Sequence, residues 1–290
     1  MEDKVTFRRI IGLLAISAKM DLAWLLRDTK YALAAIIADL VANISTVSGV
    51  FLIAVRFGGI GGMGGIGGMG ADEILFMMSY STIVTGIFTV FGSGNNIHIS
   101  RIIGRGQLEH LFMQPLPLGV QLSTSGFTPF TGGGNLAVGA ALMAAAATRL
   151  GLRITPTWVA MLLAYLAATM AIIVARSYLV SSMAFYAPVA AEEISNSAIE
   201  GTWLISTFPL SGMPRYVQIP LLTVLPEGLM AWFPSLCLLG KAPLGLGVGA
   251  YYPMAFAMAI CLAARSVFKK GLRHYVEKGS NRYVPHGFRR

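Results

Sequence analysis

Long apolar runs that are almost free of charge are the feature that most constrains how this chain can fold. Only 12% of its 290 residues are charged and 55% are hydrophobic, and the mean hydropathy is +0.68. A soluble domain carries about 25% charged residues, so this chain lacks the charge needed to cover a water-exposed surface. We therefore predict an all-α membrane protein with one transmembrane domain over residues 1–290, whose length suits six helical spans.

Basic residues cluster at both ends of the chain. Six of the 22 lysines and arginines precede Tyr31, and eight more lie between Arg265 and the C-terminus. Because basic flanks mark the cytoplasmic side of a membrane, both termini are expected in the cytoplasm and the number of spans is expected to be even. A nucleic-acid-binding protein would share the net charge of +9 but not this apolar content, so no nucleic acid is expected as a partner.

The apolar runs give the boundaries of the predicted elements. Residues 1–30 alternate apolar and charged side chains at helical spacing, which predicts an amphipathic helix in the cytoplasmic interface. Residues 191–215 carry three glutamates and predict a polar cytoplasmic stretch, and residues 269–290 form a basic cytoplasmic tail. Residues 226–243 are too short and too proline-rich to cross alone, which predicts a re-entrant outer hairpin. The six spans are predicted at Tyr31–Val55, Ile74–Phe91, Phe130–Leu150, Trp158–Tyr186, from about Tyr216 onward, and at Leu246–Phe268.

A perfect six-residue repeat, GGIGGM, fills the stretch Gly58–Gly70. Glycine at this density does not hold a helix without tertiary support. A glycine-rich phosphate loop would continue into Lys-Ser or Lys-Thr, and neither follows here. We therefore favour an outward turn over a ligand cradle.

No motif for catalysis or metal binding stands out in the sequence. The chain lacks the GxxxxGK[ST] motif of ATP-binding proteins, and its two cysteines, Cys237 and Cys261, lie in apolar surroundings typical of core thiols. We expect neither enzymatic activity nor a cofactor in this chain. The histidines are too scattered for a metal site: His98, His110, His274 and His286.

A polar segment at residues 95–117 interrupts the apolar pattern between the second and third spans. Within it, Ile97–Met113 has the apolar spacing of an amphipathic helix, and Pro115 stops that helix. Gly104 and Gly106 permit a bend. A simple connection needs only about four to six residues, so we favour a helix that docks a soluble partner over a spacer loop.

This segment resembles the signature G-x-L-D-x-L-L-x-R-P of ABC-2-type transporter permeases, more narrowly of a bacterial subfamily with six spans. Two positions depart from the pattern, because Glu109 replaces the usual aspartate and Gln114 the usual arginine. The resemblance extends over nearly the whole chain, with further matches at Phe57–Leu75, Pro209–Pro234 and Gly271–Gly279.

The resemblance implies the permease subunit of an exporter in a bacterial inner or plasma membrane. Such a subunit pairs with a second permease chain, identical or related, and docks two copies of a separate ATPase that binds ATP and Mg²⁺. The link between spans two and three is then a coupling helix seated in a groove of the ATPase. The docking residues that the resemblance implies are Ile102, Arg105, Gly106, Leu108, Glu109, Leu111, Phe112 and Pro115.

Three charged side chains lie away from the ends of the predicted spans: Asp39, Arg176 and Glu227. Charge at mid-span costs roughly 2.5–3.5 kcal/mol on insertion scales, so such residues usually face a partner or a wet path. One interpretation is an ion pair between Asp39 and Arg176 that stabilises packing. Snorkelling to the interface and contact with a transported substrate are the alternatives.

A secondary transporter or a membrane scaffold without transport activity is the competing interpretation of the whole chain. A secondary transporter is expected to show inverted repeats and paired broken spans. The sequence contains one strongly broken span, near Pro226–Pro243, and no evident repeat of the first half in the second. These observations favour the permease interpretation.

Overall fold

The computed structural model describes residues 7–58, 65–66, 68–92, 99–124, 126–206, 208–242 and 247–279, and almost all regular structure in them is helical. Three short 3₁₀ turns lie at Ser182–Phe185, Leu210–Gly212 and Pro226–Leu229. The α-helices are α1 (Phe7–Arg27), α2 (Thr29–Gly58), α3 (Ala71–Gly92), α4 (Ile99–Gly104), α5 (Leu108–Phe112), α6 (Leu118–Thr124), α7 (Gly134–Arg149), α8 (Pro156–Ser181), α9 (Pro188–Ser206), α10 (Arg215–Thr223), α11 (Trp232–Leu238) and α12 (Val248–Lys278).

Helix α1 lies where the interfacial helix is predicted, and one buried carboxylate fixes it to the rest of the protein. Asp21 is the buried residue of this helix. Its Oδ2 accepts hydrogen bonds from the backbone N–H groups of Phe130 (2.8 Å) and Thr131 (3.2 Å). Its Oδ1 accepts a third from the Thr131 hydroxyl at 2.6 Å. Because hydrogen bonds to a charged acceptor are the stronger kind, Asp21 ties α1 to the turn before α7.

Helices α3 and α7 pack side by side in opposite directions at very short range. A Cβ atom on Gly139 would lie 2.7 Å from the backbone nitrogen of Ile83, and one on Gly86 would lie 2.4 Å from that of Leu136. Glycine at these two positions therefore allows the two backbones to approach as closely as they do. At the far end of the pair, Arg149 Nη1 lies 3.6 Å from Asp72 Oδ1.

Helices α8, α9 and α12 form a second group. The Tyr165 hydroxyl donates to the Ala250 carbonyl at 2.9 Å, and the rings of Tyr178 and Phe268 meet at 4.9 Å, so α8 and α12 run in the same direction. Helix α9 runs back along α8, since Ser181 and Ser195 share a hydrogen bond at 3.2 Å. The main apolar core lies between α3, α8 and α11 and includes Phe76, Tyr80, Tyr165, Ile172 and Phe233.

Four of the described helices, α2, α3, α8 and α12, are long and apolar enough to cross a membrane. The pair α10 and α11, bent by 74°, could supply a fifth crossing. Helix α7 has 16 residues, fewer than the roughly 20 that a full span uses. The chain is thus an all-α membrane protein with four to five candidate spans, and the count of six stays a prediction.

The polar stretch predicted at residues 191–215 is largely helical, whereas the fifth span predicted from about Tyr216 coincides with the bent pair α10 and α11. Most of the stretch 191–215 is helix α9, which packs along α8 and does not form a polar loop. The glutamates suggested a solvated connection, but Glu192 pairs with arginines of the neighbouring α4. Charge neutralised in this way does not prevent a helix from packing against its neighbours.

The segment after α10, predicted as re-entrant, is a broken helix buried in the protein. The 3₁₀ turn Pro226–Leu229 and helix α11 have their side chains buried, including Trp232 and Phe233. In the described part of the glycine repeat, Gly65–Ile66 and Met69–Gly70 form a short antiparallel pair in which Ile66 lies opposite Met69. The rest of the predicted outward turn, residues 59–64 and 67, lies outside the described residues.

The close approach of α3 and α7 makes Gly139→Val a specific test of this packing. The added side chain would collide with the backbone of Ile83, so we expect the free energy of unfolding to fall by about 1–3 kcal/mol. Gly201→Ala on α9 is the control, because a Cβ at Gly201 meets nothing within 4 Å. Thermal unfolding of the purified protein in detergent measures both variants, and an equal change in both would contradict this packing.

Candidate functional site

The polar segment between α3 and α7 folds as two short helices rather than one. Helix α4 ends at Gly104, and α5 begins at Leu108 after a turn in which Gly106 has φ +68°. This left-handed conformation is strained for residues with a side chain, so glycine is the residue that suits the turn. We call residues 99–117 the coupling segment.

One side of the coupling segment is buried against the ends of α8, α9 and α12. Ile102, Ile103 and Leu108 are each less than 5% exposed and contact a cluster that includes Phe185 and Phe268. The backbone of α4 approaches α9 so closely that a Cβ on Gly104 would lie 2.8 Å from the Pro188 carbonyl oxygen. Burying three large aliphatic side chains contributes several kcal/mol, so this contact fixes the position of the segment.

Polar contacts join the coupling segment to α9 and α12. Glu192 of α9 accepts a hydrogen bond from Arg105 Nη2 at 3.2 Å and lies 3.6 Å from Arg101 Nε. The hydroxyl of Tyr275 on α12 donates to Glu109 Oε1 at 3.2 Å. Because both arginines are about half exposed, these ion pairs contribute little energy. Their contribution is to fix orientation.

The end of α5 is held by a single amide. Gln121 of α6 donates through Nε2 to the carbonyl oxygens of Leu111 (2.9 Å) and Leu116 (2.6 Å). Gln121 is buried, so these bonds are shielded from competing water. The turn between α5 and α6 is therefore attached to the rest of the protein rather than free.

The opposite side of the coupling segment is exposed and partly apolar. Phe112 is 44% exposed and Met113 is 76% exposed, and Pro115 beside them is exposed as well. Arg105 and Glu109 lie on the exposed side, Gly106 in the turn is half-buried, and Leu111 is half-buried against the apolar cluster. We call Phe112, Met113 and Pro115 the exposed tip. An apolar tip on a rigidly held segment can insert into a groove of another protein.

Two of the predicted docking residues lie on the buried side of the coupling segment. Ile102 and Leu108 are 4% and 1% exposed and face the chain's own helices. Their amphipathic spacing is real, but the apolar side packs inward, as the apolar side of a surface helix usually does. In this structure they support the coupling segment from its buried side, and their role in docking stays a prediction.

Of the three intramembrane charges, two meet. Arg176 Nη2 lies 2.8 Å from Glu227 Oε1, and the same nitrogen lies 3.4 Å from the Ala198 carbonyl oxygen. The two side chains are 14% and 2% exposed. A buried pair of this kind loses hydration on both ions, and here it joins the tip of the bent α10–α11 segment to α8 and α9.

Asp39 is the third charge, and the expected pair with Arg176 does not form, since Glu227 occupies that place. Asp39 is exposed on α2 and borders a small crevice together with Thr131, Gly132 and Asn135 at the start of α7. Within the described ranges, no ion pair involves Asp39. The sequence could not show that the proline-rich segment, rather than α2, reaches Arg176.

Three residues that hold the coupling segment were not predicted: Glu192, Tyr275 and Gln121. Each lies more than one helix away or in a different element, so no spacing within the segment could indicate it. The sequence shows only that Glu192 and the arginines Arg101 and Arg105 carry opposite charges. Opposite charge alone does not specify which residues make contact. In the described part of the chain, no group of three or more His, Cys, Asp or Glu side chains could hold a metal ion.

Replacing Arg176 by methionine tests the buried ion pair. Removing one partner leaves the Glu227 carboxylate buried without its cation, so we expect the free energy of unfolding to fall by about 3–5 kcal/mol. The double variant Arg176→Met, Glu227→Gln should recover part of this loss, because no buried charge remains. Arg149→Met is the control: its ion pair with Asp72 is exposed and should contribute about 1 kcal/mol or less. Thermal unfolding compares all three, and a double variant as unstable as Arg176→Met would contradict the assignment.

Comparison with known proteins supports the resemblance found in the signature motif. No curated protein and no solved structure matches the chain significantly. A family model described as "ABC-2 family transporter protein" matches residues 44–279. This match covers α3 to α12, the coupling segment and the bent α10–α11 segment. The chain therefore belongs to the ABC-2 transporter family, as a membrane component of an ABC transporter.

Proposed function

We propose that this chain is the permease subunit of an exporter, driven by a separate ATPase that docks on the exposed tip of the coupling segment. The observation that carries the proposal is the two-sided structure of that segment. Its inner side is buried in the chain, whereas Phe112 and Met113 stand exposed at the end of α5, just before Pro115 and Pro117. A permease needs such a projection, since ATP and Mg²⁺ would be bound by the partner.

The contacts of the coupling segment suggest how movement of the ATPase would reach the spans. Two of its polar links go to long helices of the bundle, through Glu192 on α9 and Tyr275 on α12. A push on a rigid segment displaces both helices together, because packed interfaces shift between discrete arrangements rather than deform continuously. Two ATPase copies acting on two permease chains would make this movement symmetric.

For the topology we propose six crossings: α2, α3, α7, α8, α9 and α12. Helix α9 has 19 residues and is therefore about 28 Å long, close to the thickness of the hydrocarbon core. It runs antiparallel to α8, as a following span must. The bent α10–α11 segment would then be re-entrant from the outer side. Both termini and the coupling segment would lie in the cytoplasm, in agreement with the basic ends.

The docking proposal is tested by the double variant Phe112→Asp, Met113→Asp. Two charged side chains at the tip should prevent insertion into an apolar groove, while the buried side of the segment stays intact. Exposed apolar anchors are worth about 1–2 kcal/mol each when an interface buries them, so we expect co-purification of the ATPase to fall at least about tenfold. Affinity purification of the permease with its ATPase, with quantified subunit ratios, provides the measurement.

Val276→Asp is the matched control, since Val276 is 70% exposed on α12 and does not belong to the coupling segment. The thermal stability of both variants should stay near that of the unmodified protein. Unchanged ATPase content in the tip variant would overturn the docking proposal. A loss of ATPase in both variants would place the contact elsewhere on the surface.

The link to α12 is tested by Tyr275→Phe, which removes only the hydroxyl that bonds to Glu109. We expect a loss of about 1 kcal/mol in the free energy of unfolding and no loss of bound ATPase, because Tyr275 is not part of the exposed tip. Tyr251→Phe, at an exposed position of the same helix, should change neither quantity. Thermal unfolding and subunit ratios measure both effects, and dissociation of the ATPase in Tyr275→Phe would show that α12 contributes directly to docking.

A further inference from the structure

A cavity of about 570 Å³ lies between α6, α8 and α12, next to the coupling segment but separate from its exposed tip. Its size falls within the range of about 300–1,000 Å³ that is usual for sites binding small molecules. Small residues create the space: Ala171 and Ala175 on α8, Ala264 on α12 and Gly119 on α6. The rings of Tyr178 and Phe268 close one part of it.

The side chains of α12 that line the cavity lie on one side of the helix and change from uncharged to basic along it. From Val248 to Ala264 the helix contains no charged residue, and Arg265 is the first. Lys269 follows one turn later on the same side, because residues four apart are neighbours on a helix surface. The cavity therefore extends across the level at which α12 leaves its apolar part.

The charges in the cavity have one sign. Arg265 and Lys269 both line it, and no aspartate or glutamate does. Within the described ranges, neither cation forms an ion pair with a carboxylate. The remaining lining is apolar or aromatic apart from the hydroxyl of Tyr178 and the thiol of Cys261. The cavity thus offers an apolar chamber with two available cations at one end.

We propose that this cavity binds one anionic phospholipid from the surrounding bilayer. Its phosphate would lie between Arg265 and Lys269, and part of an acyl chain would lie against Ala171, Ala175 and Ala264. Basic pockets between transmembrane helices are suited to anionic lipid headgroups. A soluble anion would satisfy the cations but leave the apolar chamber empty, and an apolar protein surface would leave the cations unpaired. The proposal rests on the membrane character of the chain and not on the docking of an ATPase.

The site is tested on the full-length chain, purified and delipidated in mild detergent, by native mass spectrometry after addition of defined lipids. We expect one molecule of phosphatidylglycerol to be retained in preference to phosphatidylcholine. The variant Arg265→Gln, Lys269→Gln should weaken retention of phosphatidylglycerol by about tenfold to thirtyfold, because each cation near an anionic headgroup strengthens binding by about fivefold. Its control, Lys270→Gln, Arg273→Gln, removes the same charge from α12 outside the cavity and should retain the lipid.

A second variant tests the apolar chamber independently of charge. Ala171→Phe fills the cavity and should also abolish retention, whereas Ala160→Phe, at an exposed position near the start of α8, should not. Equal retention of the two lipids, or equal retention by the Arg265→Gln, Lys269→Gln variant and its control, would overturn the proposal. Displacement of bound phosphatidylglycerol by inorganic phosphate, with no effect of Ala171→Phe, would identify a site for a soluble anion and likewise overturn it.

Discussion

The apolar contact beneath the coupling segment holds together the three helix ends on which the rest of this structure depends. Phe185 lies at its centre, with ring centroids 5.3 Å from Phe268 and 6.0 Å from Tyr275. The ring fits because Gly271 faces it, where a Cβ would lie 2.3 Å from Phe185 Cδ2. Ile103 packs into the same cluster from α4. The ends of α8, α9 and α12 and the coupling segment therefore share one core, and none of them can shift alone without opening a cavity.

A second buried contact, the ion pair between Arg176 and Glu227, lies on α8 itself. Arg176 lies on α8, and Phe185 lies in the 3₁₀ turn that directly follows α8. One continuous stretch of chain therefore carries both the buried ion pair to Glu227 and the ring against which the coupling segment packs. Irregular backbone is tolerated inside a membrane only where protein surrounds it, and the α10–α11 segment meets this condition through its burial. If an ATPase displaces the coupling segment as we propose, α8 and α9 connect that displacement to the buried tip of α10–α11.

The sequence predicted the elements that are marked by a local pattern. It was less informative where contacts between distant residues determine the structure. The apolar runs located α2, α3, α8 and α12 well, and the signature around Gly106 and Leu108 indicated the family. Residues of α9 were predicted as a polar stretch because the sequence does not show that Glu192 pairs with Arg101 and Arg105, which lie far away in the chain. The inward side of the coupling segment was predicted as a docking surface for a related reason. An amphipathic pattern shows that one side of a helix is covered, but not whether its own chain or another protein covers it.

The proposed lipid site and the proposed coupling path share side chains. Leu122 and Phe268 belong to the core beneath the coupling segment and also line the cavity between α6, α8 and α12. An acyl chain in that cavity would therefore pack against the residues that position the segment, and an empty cavity would leave one side of them without partner atoms. Since Gln121, next to Leu122, holds the turn after α5, occupancy of the cavity would stiffen the same attachment. A bound anionic lipid would then act as a structural part of the coupling mechanism rather than as a passive neighbour.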